Sequence, residues 1–211
     1  RFPGKPLADL CGKPMIIWVC EAAQKASMVN EVVVATDTEE IAEVCAKCHF
    51  DVVMTRKDHK TGTDRVAEVA EKRNADIYVN VQGDEPLIEP ETIDKAVSQL
   101  IEAKGFEVVN LCAKIENPED LVDATVPKVA VGPERRAIFF SRSPIPYPKN
   151  PNLITFYRQV CVYVFTKNAL QIFSKLKQGP LETAEEIELL RFLENGIPIK
   201  MAEVKTRSFG I

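Results

Sequence analysis

A basic turn lies at the beginning of the 211-residue chain, where Arg1 and Lys5 stand on either side of Gly4. Glycine lets the backbone approach an anion closely, and cationic side chains make strong hydrogen bonds to phosphate oxygens. The turn therefore has the chemistry of a phosphate-binding loop. A solvated surface turn has the same composition, so this interpretation depends on support from other residues.

Two adjacent carboxylates, Asp84 and Glu85, follow an apolar run at 77–81 that is typical of a buried strand. Mg²⁺ is a hard ion that prefers carboxylate and phosphate oxygens, and Asp84 is placed to bind it. Gln82 can hydrogen-bond a ligand at the same place, whereas Glu85 can instead face the protein. The structural alternative is an Asx turn, which the Asp-x-Pro sequence favours.

A third turn contains Thr61, Gly62 and Arg65, just before a segment with helical periodicity. The free amides at the beginning of a helix can bind a phosphate or the edge of a base, together with hydroxyl and guanidinium donors. Thr63 or Asp64 can equally cap the helix without any ligand. Together the three turns predict a triphosphate site, a base site and a metal-binding carboxylate, which is more specific than any one of them.

Short apolar runs alternate with amphipathic segments through the first half of the chain. Strands are predicted at 31–36, 51–54, 77–81 and 108–113, and helices at 15–25, 38–47, 63–72 and 90–103. This order predicts an α/β fold with a mostly parallel sheet flanked by helices. Ligands bind beyond the carboxyl ends of such strands, which selects the loops beginning at Asp37, Thr55 and Gln82.

The second half of the chain differs from the first in composition, because prolines are frequent in it. Strands at 128–131, 137–140 and 159–165 predict a hairpin and a small antiparallel extension, which spans 115–165. A single helix is predicted at 181–194, followed by a strand at 199–204. That helix presents charged residues at every third position, typical of a solvated, ion-paired face, namely Glu182, Glu185, Glu188 and Arg191.

The composition limits the classes of function. Apolar residues make up 45% of the chain and the net charge is −4, so we expect one soluble domain over 1–211 and no dedicated nucleic-acid-binding protein. No apolar run reaches the roughly 20 residues that a membrane-spanning helix needs. The six cysteines, including a CxxCH string at 45–49, are expected to be reduced packing residues of a cytoplasmic protein.

Several of these segments resemble the 3-deoxy-manno-octulosonate (KDO) cytidylyltransferases, also called CMP-KDO synthetases. The matching stretches run in family order along the chain and are RFPGKPLADLCGKPMI, VVVATDTEEIAE, TRKDHKTGTDR, VNVQGDEPLI, AIFFSRSPIPY and LLRFLENG. The strings GKP, VQGDEP and FSRSPIP in this order are highly specific in combination. The resemblance covers essentially the whole chain.

The resemblance implies a Rossmann-like nucleotidyltransferase fold, usually a homodimer. The implied reaction converts CTP and KDO into CMP-KDO and pyrophosphate for lipopolysaccharide biosynthesis. The implied roles are catalysis by Lys5 and by the Mg²⁺ ligand Asp84, with Arg1 and Lys5 on the CTP phosphates, Gln82 on the ligand, and Thr61, Gly62 and Arg65 on the cytosine side. The sugar-acid side comprises Arg142, whose planar fork suits a carboxylate, and Gln159, Tyr163 and Glu188. No general base is assigned.

Two positions depart from the family pattern, and both belong to the acid side. Gln159 begins the string QVCVY where the family has HxGxY, and Leu189 stands where a glutamine is common. A related keto acid, or a phosphonate as the nucleophile, therefore stays open as the acceptor. A glycosyltransferase that uses a sugar nucleotide shares the α/β plan, although the triphosphate-type turn at Lys5 speaks against it.

Both ends of the sequence are expected to be incomplete. The family begins with a strand and a basic loop, roughly PARxxSxR, of which only the end is present here. It also has a DTPEDL-like stretch with a second metal-binding aspartate, which would lie beyond Ile211. The sequence as given thus provides Asp84 alone of the two expected metal ligands.

Overall fold

A computed structural model describes residues 4–150 and 154–206 of the chain. Its strands, numbered in chain order, are β1 (Asp9–Leu10), β2 (Lys13–Pro14), β3 (Val33–Thr36), β4 (Asp51–Met54), β5 (Ile77–Val81), β6 (Val108–Lys114), β7 (Lys128–Val131), β8 (Ala137–Ser141), β9 (Tyr157–Thr166) and β10 (Lys200–Glu203). Its helices are α1 (Met15–Lys25), α2 (Glu39–Lys47), α3 (Gly62–Lys72), α4 (Pro90–Glu102), α5 (Pro118–Val122), α6 (Lys167–Phe173), α7 (Pro180–Glu185) and α8 (Leu190–Glu194).

The first half of the fold follows the sequence prediction closely. The bounds of α1, β4 and β5 are those predicted, and the other predicted elements up to β6 agree within two residues. β3 and β4 consist largely of β-branched residues and pair in parallel, as expected for strands joined by a crossover helix. The predicted α/β fold with a sheet flanked by helices is confirmed.

Six of the described strands form the central sheet, and β9 lies in the middle of it. β9 pairs with β6 along one edge, and with β7 and then β5 along the other edge. These three pairings are antiparallel, as is the predicted hairpin of β7 with β8, whereas β10 pairs with β6 in parallel. Four strands, namely β5, β6, β7 and β10, therefore point in one direction.

The prediction of mostly parallel pairing is wrong for this central sheet. Within the described residues, β6 with β10 is its one parallel pair. The strand predicted at 159–165 exists as β9, but it lies at the centre of the sheet and not in a peripheral extension. A strand that is buried on both faces is apolar in either orientation, so the composition of β9 could not reveal its direction.

The single helix predicted at 181–194 is also wrong. α7 ends at Glu185, and Glu186 takes up a left-handed conformation with φ of 50°. α8 then begins after residue 189. Ile187 and Leu189 are buried within the break, so the apolar periodicity continues through it and hides the interruption. The break places Glu188 at the site described below.

Helices cover both faces of the central sheet. Along β6, Val108 packs into a cluster with α3, α6 and α8, and its neighbour Val109 packs into a second cluster with α1 and α4. In the first cluster Phe192 lies between Phe165 and Phe173, with ring centroids 6.0 and 5.0 Å away. Among the described helices, none is long and apolar enough to cross a membrane.

Glu68 on α3 is the centre of a polar cluster that joins α3 to the loop after β4. Its carboxylate accepts hydrogen bonds from Lys72 Nζ at 2.6 Å and from the Arg56 amide at 3.0 Å, and it contacts His59 Nε2 at 2.6 Å. Burial raises the pKa of Glu68, but these hydrogen bonds outweigh burial and lower the pKa from 4.5 to about 2. Folding therefore favours the ionised form of the Glu68 carboxyl group.

This depressed pKa predicts an acid-sensitive contribution to stability. A carboxyl group whose pKa is lower in the folded state stabilises the fold above its ordinary pKa, and this contribution is lost as the pH falls from 4.5 towards 2. We expect Glu68→Gln to lose less free energy of unfolding than the unmodified chain over this interval. Urea unfolding at several pH values measures the difference, and equal losses in both proteins would show that Glu68 is not responsible.

Candidate active site

An open cleft of about 1710 Å³ lies where β5 ends. Its position agrees with the rule that ligands bind beyond the carboxyl ends of strands in α/β sheets. Nine of the predicted site residues line it, namely Lys5, Thr61, Gly62, Gln82, Asp84, Arg142, Gln159, Tyr163 and Glu188. Arg65 does not line the cleft, and Arg1 lies outside the described residues.

The basic turn and the strand-end carboxylate meet in one ion pair. Lys5 Nζ lies 2.7 Å from Asp84 Oδ2, although 79 residues separate them in the chain. Gly4 has a φ of 70°, which glycine adopts without strain, and it leads into the short 3₁₀ turn that carries Lys5. The two side chains are 31% and 37% exposed, so both can exchange this contact for a ligand.

Asp84 and its neighbour Glu85 occupy different environments. The Glu85 amide donates a hydrogen bond to the Gln82 carbonyl at 3.2 Å, which closes a tight turn after β5. Both residues line the cleft, but Glu85 is only 2% exposed, whereas the Asp84 side chain is 37% exposed. Asp84 is therefore the carboxylate of this pair that a cation in the cleft would meet.

The turn at Thr61 caps the helix as predicted, but the N-cap residue is Thr61, with Asp64 as its partner, and not Thr63. Thr61 Oγ1 accepts a hydrogen bond from the Asp64 amide, and Asp64 Oδ2 accepts one from the Thr61 amide, each at 3.1 Å. This capping box fixes the beginning of α3. Thr61 and Gly62 also line the cleft. A Cβ atom on Gly62 would lie 3.1 Å from Gln82 Nε2, so glycine allows the turn to pack tightly against the end of β5.

Arg65 lies beside the cleft and binds protein groups. Its guanidinium donates hydrogen bonds to Asp37 Oδ2 at 3.0 Å and to Thr55 Oγ1. Partial burial raises the pKa of Asp37, but Arg65 outweighs this effect and the pKa is lowered. Asp37 and Thr55 begin the two other loops that the strand-end rule selected. The position of Arg65 thus supports a role in holding these loops and not a direct contact with a base.

Glu188 connects the third turn to the strand-end loop. It accepts hydrogen bonds from the Thr63 amide at 2.9 Å and from Gln82 Nε2 at 3.1 Å. Burial raises the pKa of Glu188 despite these hydrogen bonds. Burial also raises the pKa of Tyr163 well above its usual range, so its phenol stays protonated and can donate a hydrogen bond.

Arg142 combines a cleft position with bonds to the backbone. Its Nε donates to the Glu185 carbonyl at 2.6 Å and its Nη1 donates to the Ala124 carbonyl at 2.8 Å. These bonds fix the plane of the guanidinium, which has five N–H donors in all. A planar cation that is held in this way suits a carboxylate ligand.

β9 is irregular where it borders the cleft. Its pairing with β6 shifts register after Asn110, so β9 carries extra residues there. Asn110 Nδ2 donates to the carbonyls of Val160 and Val162 at 2.8 and 3.0 Å, and Gln159 Nε2 donates to Asn110 Oδ1 at 3.2 Å. These two side-chain amides thus supply hydrogen bonds to the backbone carbonyls of the bulge. Gln159 and Cys161 line the cleft beside it.

Comparison with known proteins identifies the family. Residues 1–202 match the family model described as cytidylyltransferase. A 3-deoxy-manno-octulosonate cytidylyltransferase from Geobacter metallireducens is 43% identical over 222 residues, which cover 100% of this chain and 87% of the relative. The chain belongs to the 3-deoxy-manno-octulosonate cytidylyltransferase family. The relative from Escherichia coli, which has the same name, is 40% identical over 211 residues, which cover 100% of this chain and 85% of the relative.

Solved structures agree with this assignment. A CMP:2-keto-3-deoxy-manno-octonic acid synthetase complexed with CTP has a TM-score of 0.93 at 40% identity, and the match covers 100% of this chain and 87% of that chain. A 4-diphosphocytidyl-2C-methyl-D-erythritol synthase from Anaerococcus prevotii has a TM-score of 0.64 at 10% identity, and the match covers 98% of this chain and 86% of that chain. The second likeness shows the fold alone. The resemblance and nucleotidyltransferase fold that the sequence predicted are confirmed.

Cys161 also lines the cleft of this cytidylyltransferase, although the sequence analysis did not name it as a site residue. Burial, followed by the charge of the nearby Glu85, raises the pKa of its thiol to about 12, so the thiol stays protonated. The two-residue spacing along a strand from Gln159 to Tyr163 is the signal that could have found it. Leu189, the other departure from the family pattern, is fully buried in the main core and does not line the cleft.

The solvated charged face predicted for the last helix is wrong. Glu182 and Arg191 are each only 2% exposed, and their side chains form an ion pair at 2.7 Å. Arg191 also pairs with Asp64 of α3 at 2.7 Å. Glu185 accepts hydrogen bonds from Ser141 and from the Arg142 amide. Glu182 and Arg191 are buried because α7 and α8 are separate helices that pack against each other, which the periodicity of one straight helix cannot show.

Proposed function

We propose that this cytidylyltransferase transfers CMP from CTP to KDO and releases pyrophosphate. The observation that carries the proposal is the ion pair of Lys5 with Asp84 in the cleft. It brings a phosphate-binding cation next to a metal-binding carboxylate, as triphosphate chemistry requires. The names of relatives at 40% identity and above, and of a structural neighbour complexed with CTP, support the same substrates.

We propose Mg²⁺ as the cofactor, bound at Asp84. Among the described residues, ten carboxylates and six basic side chains line the cleft, so an anionic triphosphate needs additional positive charge there. Mg²⁺ commonly uses one or two protein carboxylates together with substrate phosphate oxygens and water, so Asp84, which lies next to the phosphate-binding Lys5, is sufficient as its protein ligand. When bound, Mg²⁺ would polarise the α-phosphate and neutralise its developing charge.

The proposed reaction is an in-line displacement at the α-phosphorus of CTP. The anomeric oxygen of KDO attacks the α-phosphorus and forms the new P–O bond, its proton passes to water in the open cleft, and the bond to pyrophosphate breaks. Lys5 exchanges its contact with Asp84 for the phosphates and offsets charge on the leaving pyrophosphate. Thr61, Gly62 and Gln82 hold the nucleotide, since such transfers depend mainly on positioning and on charge neutralisation.

The acid is proposed to bind on the side of the cleft that contains β9. Arg142 supplies a planar cation for the carboxylate, and the protonated Tyr163 supplies a donor for a hydroxyl. Gln159 and Glu188 complete this side. Because Gln159 and Cys161 replace the usual residues of the family string, a related keto acid or a phosphonate is the specific alternative acceptor.

A panel of nucleotides and acids, scored by pyrophosphate release, tests the proposal. We expect release with CTP and KDO in the presence of Mg²⁺, and little release with UTP or ATP. Release with CTP and a different acid would change the acceptor only. Activity with UTP or ATP but not CTP would overturn the base assignment. A glycosyltransferase would instead consume a sugar nucleotide and release no pyrophosphate.

We further propose that the chain forms a homodimer in the cytoplasm. Tyr147, between β8 and β9, is 91% exposed, and an aromatic side chain in this state favours a contact surface. All six cysteines are free thiols, which fits a reducing compartment. Light scattering after size-exclusion chromatography is expected to give about twice the chain mass of 23.6 kDa, whereas the chain mass itself would contradict the dimer.

A further inference from the structure

We propose that Arg191 is a positioning residue that holds two walls of the cleft at a fixed separation. The nucleotide wall is the turn Thr61–Gly62. The acceptor wall is formed by Gln178 and by Glu182 on α7, and the Glu185 carbonyl at the end of α7 accepts a hydrogen bond from Nε of Arg142, the proposed cation for the acid. Arg191 itself does not line the cleft. The inference rests on the proposed function, because its test uses both proposed substrates.

The guanidinium of Arg191 is bound on two sides by carboxylates. Nε and Nη2 donate to the two oxygens of Glu182, each at 2.7 Å. Nη1 and Nη2 donate to the two oxygens of Asp64 at 2.7 and 3.3 Å. The guanidinium also stacks 3.9 Å above the ring of Phe173. A planar cation that makes two forked contacts fixes both distance and orientation.

Asp64 connects Arg191 to the nucleotide wall. The same carboxylate accepts hydrogen bonds from the Thr61 amide at 3.1 Å and from Thr61 Oγ1 at 2.8 Å. Asp64 does not itself line the cleft. A displacement of this carboxylate therefore reaches the nucleotide wall through Thr61.

Glu182 connects Arg191 to the acceptor wall. Its Oε1 also accepts a hydrogen bond from Gln178 Nε2 at 3.1 Å, and both side chains line the cleft. α7 carries Glu182 and α8 carries Arg191, with the break at residues 186–189 between them. Because no continuous helix joins the two elements, the buried ion pair fixes the position of α7 relative to α8.

Arg191→Lys is the informative substitution because it keeps the charge and removes the fork. Loss of the charge would leave two buried carboxylates without a cation and would threaten folding. A lysine ammonium can approach one carboxylate but cannot make both bidentate contacts. The two walls should then lose their fixed separation while the protein remains folded.

We expect Arg191→Lys to raise the KM of both CTP and KDO in the pyrophosphate-release assay, each by about 10-fold or more, because a small misplacement of binding groups has effects of this order or larger. Asp64→Asn weakens the contacts with Thr61 and with Arg191 but keeps the pair of Arg191 with Glu182, so it should raise the KM of CTP more than that of KDO. KM does not depend on the fraction of enzyme that is folded. A purely structural role would therefore lower the rate per total enzyme and leave both KM values unchanged.

Asp94→Asn is the matched control. Asp94 on α4 accepts hydrogen bonds from the Ser27 amide, Ser27 Oγ and the Met28 amide, much as Asp64 does from Thr61, but it does not line or contact the cleft walls. It should lower stability without changing either KM. Unchanged KM values in Arg191→Lys, or in Asp64→Asn if the first variant does not fold, would overturn the inference. Absence of pyrophosphate release in the unmodified chain would instead count against the proposed function.

Discussion

Asp84→Asn is expected to lower the kcat of pyrophosphate release from CTP and KDO by about a thousandfold, since the loss of a metal-centred or comparable electrostatic contact in a phosphoryl-type transfer has effects of this order. Asparagine keeps the size of the side chain and one oxygen, but it lacks the charge that attracts Mg²⁺. The rate should recover in part at high Mg²⁺ concentration, because a weaker metal site is filled when the Mg²⁺ concentration is raised. Initial rates measured over a range of Mg²⁺ concentrations give both effects.

Folding should be almost unaffected in this variant. Lys5 and Asp84 are each about one third exposed, and an ion pair with this exposure contributes at most about 1 kcal/mol to stability. Glu89→Gln is a suitable control, since Glu89 also lines the cleft as a carboxylate and is exposed. It should change kcat less than about threefold. Full turnover by Asp84→Asn would remove Asp84 from the metal site and with it the proposed cofactor position.

The sequence predicted the part of the fold in which local pattern and tertiary role agree. β3, β4 and β5 are short apolar runs, and the helices between them show a clear apolar face, so each signal had one interpretation. The position of the cleft followed from strand order, because the carboxyl ends of β-strands in such folds face one edge. The contact between Lys5 and Asp84, which are 79 residues apart in the chain, was predicted by combining this rule with the family resemblance.

The errors arose where long-range packing decides the outcome. The orientation of β9 depends on its partners β5 and β6, and its own residues carry no information about direction. The break at Glu186 interrupts a helix without any glycine or proline to mark it. The charged row of the last predicted helix is buried in part by Asp64, which lies on α3. In each case the deciding partner lies far away in the sequence.

The charged row of the last helix shows the same limit in the site itself. Charges at every third position normally indicate a solvated face, because burial of a charge is unfavourable. Here Arg191 and Glu182 are buried because Asp64, more than a hundred residues earlier, completes a three-member network with them. A buried network of this kind can be recognised only when its members are brought together in three dimensions. It therefore became the basis of an inference from the structure and not from the sequence.

Lys5→Met is expected to lower kcat by about a hundredfold. It is also expected to lower the Mg²⁺ concentration needed for the half-maximal rate, so catalysis weakens while Mg²⁺ binding improves. The loss of kcat follows from removal of the cation that offsets charge on the departing pyrophosphate, a contribution of this order for one preorganised donor. The second effect follows from the 2.7 Å contact of Lys5 with Asp84, because the ammonium must leave this carboxylate before a divalent cation can bind there. Methionine preserves most of the volume without competing for Asp84.

Lys60→Met is the matched control for Lys5→Met, because Lys60 also lines the cleft but does not pair with Asp84. It should change kcat less than about threefold and leave the Mg²⁺ dependence unchanged. A higher Mg²⁺ requirement in Lys5→Met would mean that Lys5 assists cation binding and does not compete with it. An unchanged kcat would mean that another group stabilises the leaving pyrophosphate, and the ion pair of Lys5 with Asp84 would then no longer carry the proposed reaction.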